Sequence, residues 1–258
     1  MPRFAANLTM LFNEVEFLDR FEAAAQAGFR GVEYLFPYAW PKEALAERLS
    51  RRGLTQVLHN LPAGDWAKGE RGIASLPGRE GEFQEGVGLA LSYAKALGCP
   101  QLNCLAGVPP KEADPEKVRR TLVENLRYAA RELDRAGIRL LVEPINTYDI
   151  PGFYLSRSDE TLSLFDEVGE RNLWLQYDIY HMQRMEGELA ATIAKNLPRI
   201  AHVQVADNPG RNEPGTGEIN YEFLFRRIDE LGYDGWIGCE YKPRTTTLEG
   251  LGWLRRAG

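Results

Sequence analysis

Two hydrophobic patterns alternate along the chain. Stretches whose apolar residues return every three or four positions, the spacing of one helix face, run into a glycine; a short β-rich apolar run follows and closes on a polar residue. The unit is plainest in Ala27-Gly28-Phe29-Arg30-Gly31-Val32-Glu33, Arg52-Gly53-Leu54-Thr55-Gln56-Val57-Leu58-His59, Ala136-Gly137-Ile138-Arg139-Leu140-Leu141-Val142-Glu143 and Leu231-Gly232-Tyr233-Asp234-Gly235-Trp236-Ile237-Gly238-Cys239-Glu240. Glycine stands where a helix C-terminus takes up the left-handed conformation. Less regular versions predict further strand ends near Asn7, Asn103, Asp178 and Gln204.

Helical patterns are predicted over 14–27, 41–51, 80–97, 114–136, 158–168, 187–196, 221–231 and 246–255. Asp114-Pro115-Glu116 sets a capping residue before a first-turn proline, and Ser158-Asp159-Glu160 supplies a cap followed by acidic first-turn residues. Strands alternating with helices in this way build parallel βαβ units. Eight units in 258 residues predict an α/β fold of one domain, a (β/α)8 TIM barrel over 1–258, and no GxGxxG follows the first strand to favour a doubly wound sheet. Two connections, 60–79 and 207–220, are longer than joining requires. Both leave predicted strand C-termini, the face on which barrels place their chemistry, so a lid or binding role is expected of them.

Composition narrows the field of partners. With 31 Lys+Arg against 37 Asp+Glu the net charge is −6, and 44% hydrophobic with 26% charged residues is an ordinary globular balance. An acidic chain is a poor binder of phosphate backbones, so a small molecule is expected as partner and nucleic acid is not. No window approaches 18 apolar residues, and the N-terminus lacks a signal-peptide core, so no membrane span or secretion is expected. Three cysteines without a CxxC pair suit a reducing compartment, hence a cytoplasmic location. Apolar barrel helices are compatible with homo-oligomeric association, whose order composition does not set.

The candidate chemistry lies at the strand ends. Glu143, Asp178, Gln204 and Glu240 each close an apolar strand, so three carboxylates and one amide are predicted to meet at one barrel mouth. Buried carboxylates need compensation, and a divalent cation supplies it. An all-oxygen donor set without cysteine favours Mg²⁺ or Mn²⁺ over a structural zinc. The alternative is that each acid pairs with its own Lys or Arg. Around the quartet, Glu33, His59, Asn103, His181, Arg211 and Lys242 are candidates for handling substrate. His59 could belong equally to the site or the core. His202 shares its strand face with Gln204 but lies deeper, as a core histidine would, and Cys239 faces away from Glu240 and reads as packing.

The chain resembles the hydroxypyruvate isomerases, within the xylose-isomerase-like barrels that also hold tagatose epimerases and endonuclease IV. The likeness spans nearly the whole sequence. It is carried by Ala63-Gly64-Asp65-Trp66 with Gly69-Glu70-Arg71-Gly72, by Leu141-Val142-Glu143-Pro144-Ile145-Asn146, by Tyr177-Asp178-Ile179-Tyr180-His181-Met182-Gln183, and by Gly210-Arg211-Asn212-Glu213-Pro214-Gly215-Thr216-Gly217-Glu218-Ile219. The resemblance implies that Glu143, Asp178, Gln204 and Glu240 hold the metal, that Glu143 and Glu240 are the acid/base pair, and that His181 and Arg211 bind substrate. Sugar epimerases have a histidine ligand where this chain has Gln204, which points away from larger ketoses. Endonuclease IV uses several zinc-binding histidines, whereas this chain has three histidines in all.

The implied reaction interconverts hydroxypyruvate and tartronate semialdehyde through an enediolate. Arg211 would clamp the substrate carboxylate bidentately, with Lys242 as a second candidate, and the loop bearing Trp66 and Arg71 would close over it. Rival readings are an isomerase of 2-oxo-tetronate or a related sugar acid, a metal-dependent lyase or dehydratase, and a barrel that binds acids or carbohydrates without turnover.

Overall fold

The computed structural model describes residues 2–256. Eight parallel strands close into a barrel in chain order: β1 Arg3–Asn7, β2 Gly31–Glu33, β3 Thr55–Asn60, β4 Gln101–Cys104, β5 Arg139–Val142, β6 Leu173–Asp178, β7 Ile200–Val205 and β8 Trp236–Cys239. Closure comes from β1 pairing with β8, where Arg3 to Ala6 lie against Trp236 to Cys239. Asp178 pairs with Gln204, and Gln204 with Gly238, so the ends of β6, β7 and β8 stand at one height. The fold is therefore the (β/α)8 barrel that the pattern predicts.

The helices are α1 Arg20–Gln26, α2 Lys42–Arg52, α3 Glu80–Leu97, α4 Pro115–Arg135, α5 Ser158–Val168, α6 Ile179–Met185, α7 Leu189–Asn196, α8 Tyr221–Glu230 and α9 Thr247–Gly250. The longest, α4, begins with the Asp114 carboxylate accepting the Glu116 N–H and with Pro115 in the first turn. It buries Leu122, Leu126, Ala129, Ala130 and Leu133 against the barrel. Each large apolar side chain so removed from water contributes about 1.5–3 kcal/mol. Among the described residues no helix is long and apolar enough to cross a membrane.

Three elements differ from the sequence reading. The stretch 14–27 opens with a 3₁₀ turn, Phe17–Asp19, before α1, because Glu14 is drawn to the far end of the chain, where its carboxylate accepts from the Thr247 N–H and hydroxyl. The segment after β6 turns at once into α6, a helix absent from the pattern. It is seven residues long and its first four, Ile179, Tyr180, His181 and Met182, are all buried, so too short a stretch remains for an apolar face to repeat. Within 246–255 only α9 is α-helical, followed by the 3₁₀ segment Leu251–Arg256; Gly250 and Gly252 fall where the helix would continue, and glycine is a poor helix former.

Candidate active site

The site occupies a cavity of about 340 Å³ at the C-terminal mouth of the barrel, lined among others by Glu33, Glu143, His181, Gln204, Arg211 and Glu240. Strand alternation explains the membership. Gln176 and Asp178 stand two apart on β6, and His202 and Gln204 two apart on β7, so each pair faces the barrel axis. Gln176 Nε2 bridges the strands, donating to Glu143 Oε2 (2.9 Å) and to Gln204 Oε1 (2.6 Å). Gln204 Nε2 in turn donates to Glu33 Oε1 (2.8 Å), which also takes the Asn7 amide (3.0 Å). Below them His202 Nε2 meets Glu33 Oε2 at 2.6 Å. Gly238 on β8 leaves room for this carboxylate, since a Cβ there would collide with it.

Asp178 has a divided task. One oxygen caps α6 by accepting the Tyr180 N–H (2.8 Å), while Oδ2 is fully buried without a hydrogen-bond partner. Donor atoms of Glu143, Asp178 and His181 all lie within 4.8 Å of one another. Burial pushes Asp178 up to about 6 and Glu240 up to about 8, against the opposing pull of Arg211 in both cases. Glu143 is held well above the usual carboxylate range, first by burial and then by Glu240 and Asp178. A buried carboxylate oxygen without a hydrogen-bond partner, beside two other carboxyls disfavoured in their charged form by burial, is a donor set that suits a hard divalent ion.

One cation of the protein itself enters the cluster. Arg211 Nη2 lies 3.2 Å from Glu240 Oε1 and 3.8 Å from Asp178 Oδ2. Burial works against the guanidinium charge, but Glu240, Asp178 and Glu143 more than offset it. Arg211 sits at φ 53°, in the left-handed region, a conformation costing on the order of 1–3 kcal/mol that persists where its surroundings impose it. Here they do: its carbonyl accepts the Lys242 N–H (2.8 Å), and the loop is organised by buried Asp207, whose carboxylate accepts the N–H groups of Asn208, Gly215, Gly217 and Ile219 at 2.8–3.1 Å. Gly217 approaches the Asn208 carbonyl too closely for any side chain. Opposite, the 60–79 segment is pinned by Glu70, which accepts the Asp65 N–H and pairs with Arg79, and it brings Trp66 to the cavity wall. Arg71 stacks over Trp66 at 4.2 Å.

The sequence-predicted residues are thus distributed unevenly. Glu143, Asp178 and His181 converge. Gln204 and Glu240 line the same cavity, one held by Gln176 and Glu33, the other by Arg211. Lys242 reaches the rim. His59 is a correction: Leu58 and Asn60 line the cavity, so the intervening His59 points into the layer between barrel and helices, 6.2 Å from the Tyr38 ring. Burial pushes it down to about 3, a neutral core imidazole. Cys239 is buried in the core, as its strand face predicts. Sequence reading missed Gln176, although its spacing two before Asp178 is the signal that placed His202. It also missed Asn146 and Asp149, which reach the site from a loop.

A profile of the family described as xylose isomerase-like TIM barrel matches residues 21–257. The chain belongs to this family. Hydroxypyruvate isomerase of Escherichia coli K12 is 58% identical over 98% of each chain. A 2-oxo-tetronate isomerase of Cupriavidus necator is 51% identical over 99% of this chain and 98% of its own. Among solved structures, one described as an AP endonuclease, family 2, from Brucella melitensis superposes with a TM-score of 0.96 at 48% identity, covering 99% of this chain and 98% of its own.

Proposed function

We propose that the protein is a metal-assisted isomerase interconverting hydroxypyruvate and tartronate semialdehyde (2-hydroxy-3-oxopropanoate) through an enediolate. The observation that carries this reading is the pair of buried glutamates, Glu143 and Glu240, facing one small cavity with raised carboxyl pKa values. Carboxyls tuned toward neutral pH suit proton transfer to and from carbon. In the reaction a proton leaves C3, the electron pair forms the C2–C3 double bond, and a proton is delivered to C2. The O3 proton passes to O2, so atoms balance without any redox partner.

Glu143, Asp178, Gln204 and Glu240 would hold a divalent ion, Mg²⁺ or Mn²⁺, with His181 beside it. When bound, such an ion acts as a Lewis acid that makes the carbon-bound hydrogen more acidic and spreads the developing negative charge. Arg211 orients the substrate through its carboxylate, exchanging its ion pair with Glu240 for a bidentate one, and Lys242 adds a second positive charge at the rim. Trp66 and the 60–79 segment shield the cavity from water.

A second reading is an isomerase of 2-oxo-tetronate, favoured by the Cupriavidus relative. At about 340 Å³ the cavity lies at the small end of ligand pockets and admits an acid of three or four carbons. The name borne by the Brucella structure suggests a nuclease, but a cavity of carboxylates on a chain of net charge −6 repels a phosphodiester backbone. The test is turnover of both acids by the chelated protein and again after Mg²⁺ or Mn²⁺ is restored. Activity should vanish with the metal and return with it, hydroxypyruvate giving the higher kcat/KM. Turnover that survives complete metal removal, or a clear preference for the four-carbon acid, would overturn the corresponding part of the assignment.

A further inference from the structure

We propose that Asn146 is a positioning residue that locks His181 in its Nε2–H tautomer, so that His181 serves as a hydrogen-bond donor to a substrate oxygen and not as a metal ligand. The inference rests on the isomerase reading for its role in the reaction, but its structural half stands on donors and acceptors alone.

The lock is built from groups whose polarity is known. Two backbone N–H groups, of Tyr148 (3.1 Å) and Asp149 (2.8 Å), donate to Asn146 Oδ1, which fixes which end of the amide is oxygen. The other end, Nδ2, donates to Asp149 Oδ2 at 3.1 Å and stands 2.6 Å from His181 Nδ1. The Asn146 backbone N–H also points at this ring nitrogen, at 3.5 Å. With a donor at hydrogen-bond distance and a second behind it, Nδ1 must carry the lone pair. The ring hydrogen is therefore on Nε2.

That hydrogen faces the cavity. Nε2 lies 3.5 Å from Asp178 Oδ2 and 3.8 Å from Glu143 Oε1, two carboxylate oxygens that attract an N–H and repel a lone pair. Arg211 Nη2, 3.5 Å away, would prefer a lone pair. It sits at the outer limit of hydrogen bonding, however, and is outweighed by the 2.6 Å contact on Nδ1. Coordination of a metal through Nε2 would move the proton to Nδ1 and set N–H against N–H at the Asn146 contact. Asn146 is itself braced: Asp149 accepts from Tyr180 Oη (2.9 Å) and Arg184 Nη1 (2.9 Å), both on α6, the helix that carries His181. Although donor atoms of Glu143, Asp178 and His181 lie close together, the tautomer separates two ligands from one donor.

The experiment is nitrogen NMR of the whole protein labelled with ¹⁵N-histidine, metal-free and with Mg²⁺. The chain has three histidines, and the signal lost in His181→Gln identifies the one in question. The expected spectrum shows a protonated Nε2 and an unprotonated Nδ1, unchanged in type when Mg²⁺ is added. Asn146→Asp, which presents an acceptor to the ring, should move the proton to Nδ1. It should also lower kcat/KM roughly 10- to 100-fold, the value of one lost hydrogen bond to a charged group. In the His181→Gln background, where no tautomer needs fixing, the same substitution should cost little more. A wild-type proton on Nδ1, loss of the Nε2 proton on Mg²⁺ binding, or fully additive losses in the double variant would overturn the proposal. Inactivity toward hydroxypyruvate with the Nε2–H intact would count against the substrate and for the tautomer.

Discussion

Glu240 carries two opposite obligations, to be buried and to be charged when it takes a proton. Glu240→Gln should reduce kcat by about 10²- to 10⁴-fold, the range for a well-placed proton-transfer group. The metal-free fold should lose some stability, because buried Arg211 is left without its nearest carboxylate, 3.2 Å away. Steady-state kinetics beside thermal unfolding checks both, and unchanged turnover would remove Glu240 from the catalytic pair. The direction of the pH effect follows from the raised carboxyls. In the fold Asp178 ionises at about 6 and Glu240 at about 8, above their ordinary values of 3.8 and 4.5. Their protonated forms are thus favoured by folding, and stability present at low pH is lost as pH rises through those values. Chelated protein should unfold at progressively lower temperature between about pH 5 and pH 8.5, whereas a bound divalent ion compensates the charges, so the gap between the two forms widens with pH. A constant gap would mean that Arg211 already neutralises the cluster.

At the scale of elements, the site depends on how loops are held to rigid strands. Ile219 anchors the 207–220 loop in the core, and Asp207 gathers four of its N–H groups. Asp207→Asn keeps the volume but turns one acceptor oxygen into a donor. At least one buried N–H is then left facing another, a loss of about 1–3 kcal/mol. Because Arg211 hangs from the same loop in a left-handed conformation, kcat/KM should fall through KM more than through kcat. A variant destabilised by this amount with KM unaltered would show that Arg211 does not position the substrate.

For the molecule as a whole, the barrel closes between the first strand and the last, and the chain end seals the join. Trp253 packs edge-on to Phe4 of β1 (5.1 Å), stacks with Phe225 of α8 (5.7 Å) and donates to Tyr241 Oη (3.2 Å), the residue after Glu240. Trp253→Ala should cost roughly 3–5 kcal/mol, a fall in Tm on the order of 10 °C for a domain of this size. Calorimetry measures it; a loss below about 1 kcal/mol would mean that the terminal segment merely rests on the barrel.

Strand and helix periodicity, with glycines at the junctions, determined the barrel and even the mouth at which Glu143, Asp178, Gln204 and Glu240 would stand, because strand alternation is local and a polar residue ending an apolar strand has one face to take. Local pattern could not decide what depends on neighbours remote in sequence. The face of His59 was set by the register of Leu58 and Asn60 against the cavity. Helix α6 leaves no signal because its seven residues begin with four that are all buried, too short a run for an apolar face to recur. The role of Asn146 exists only because a loop meets α6 and the Asp149 carboxylate braces the two. Hydrogen bonds between side chains far apart along the chain leave no period in it, so the donors and acceptors that tune this site belong to the tertiary structure alone.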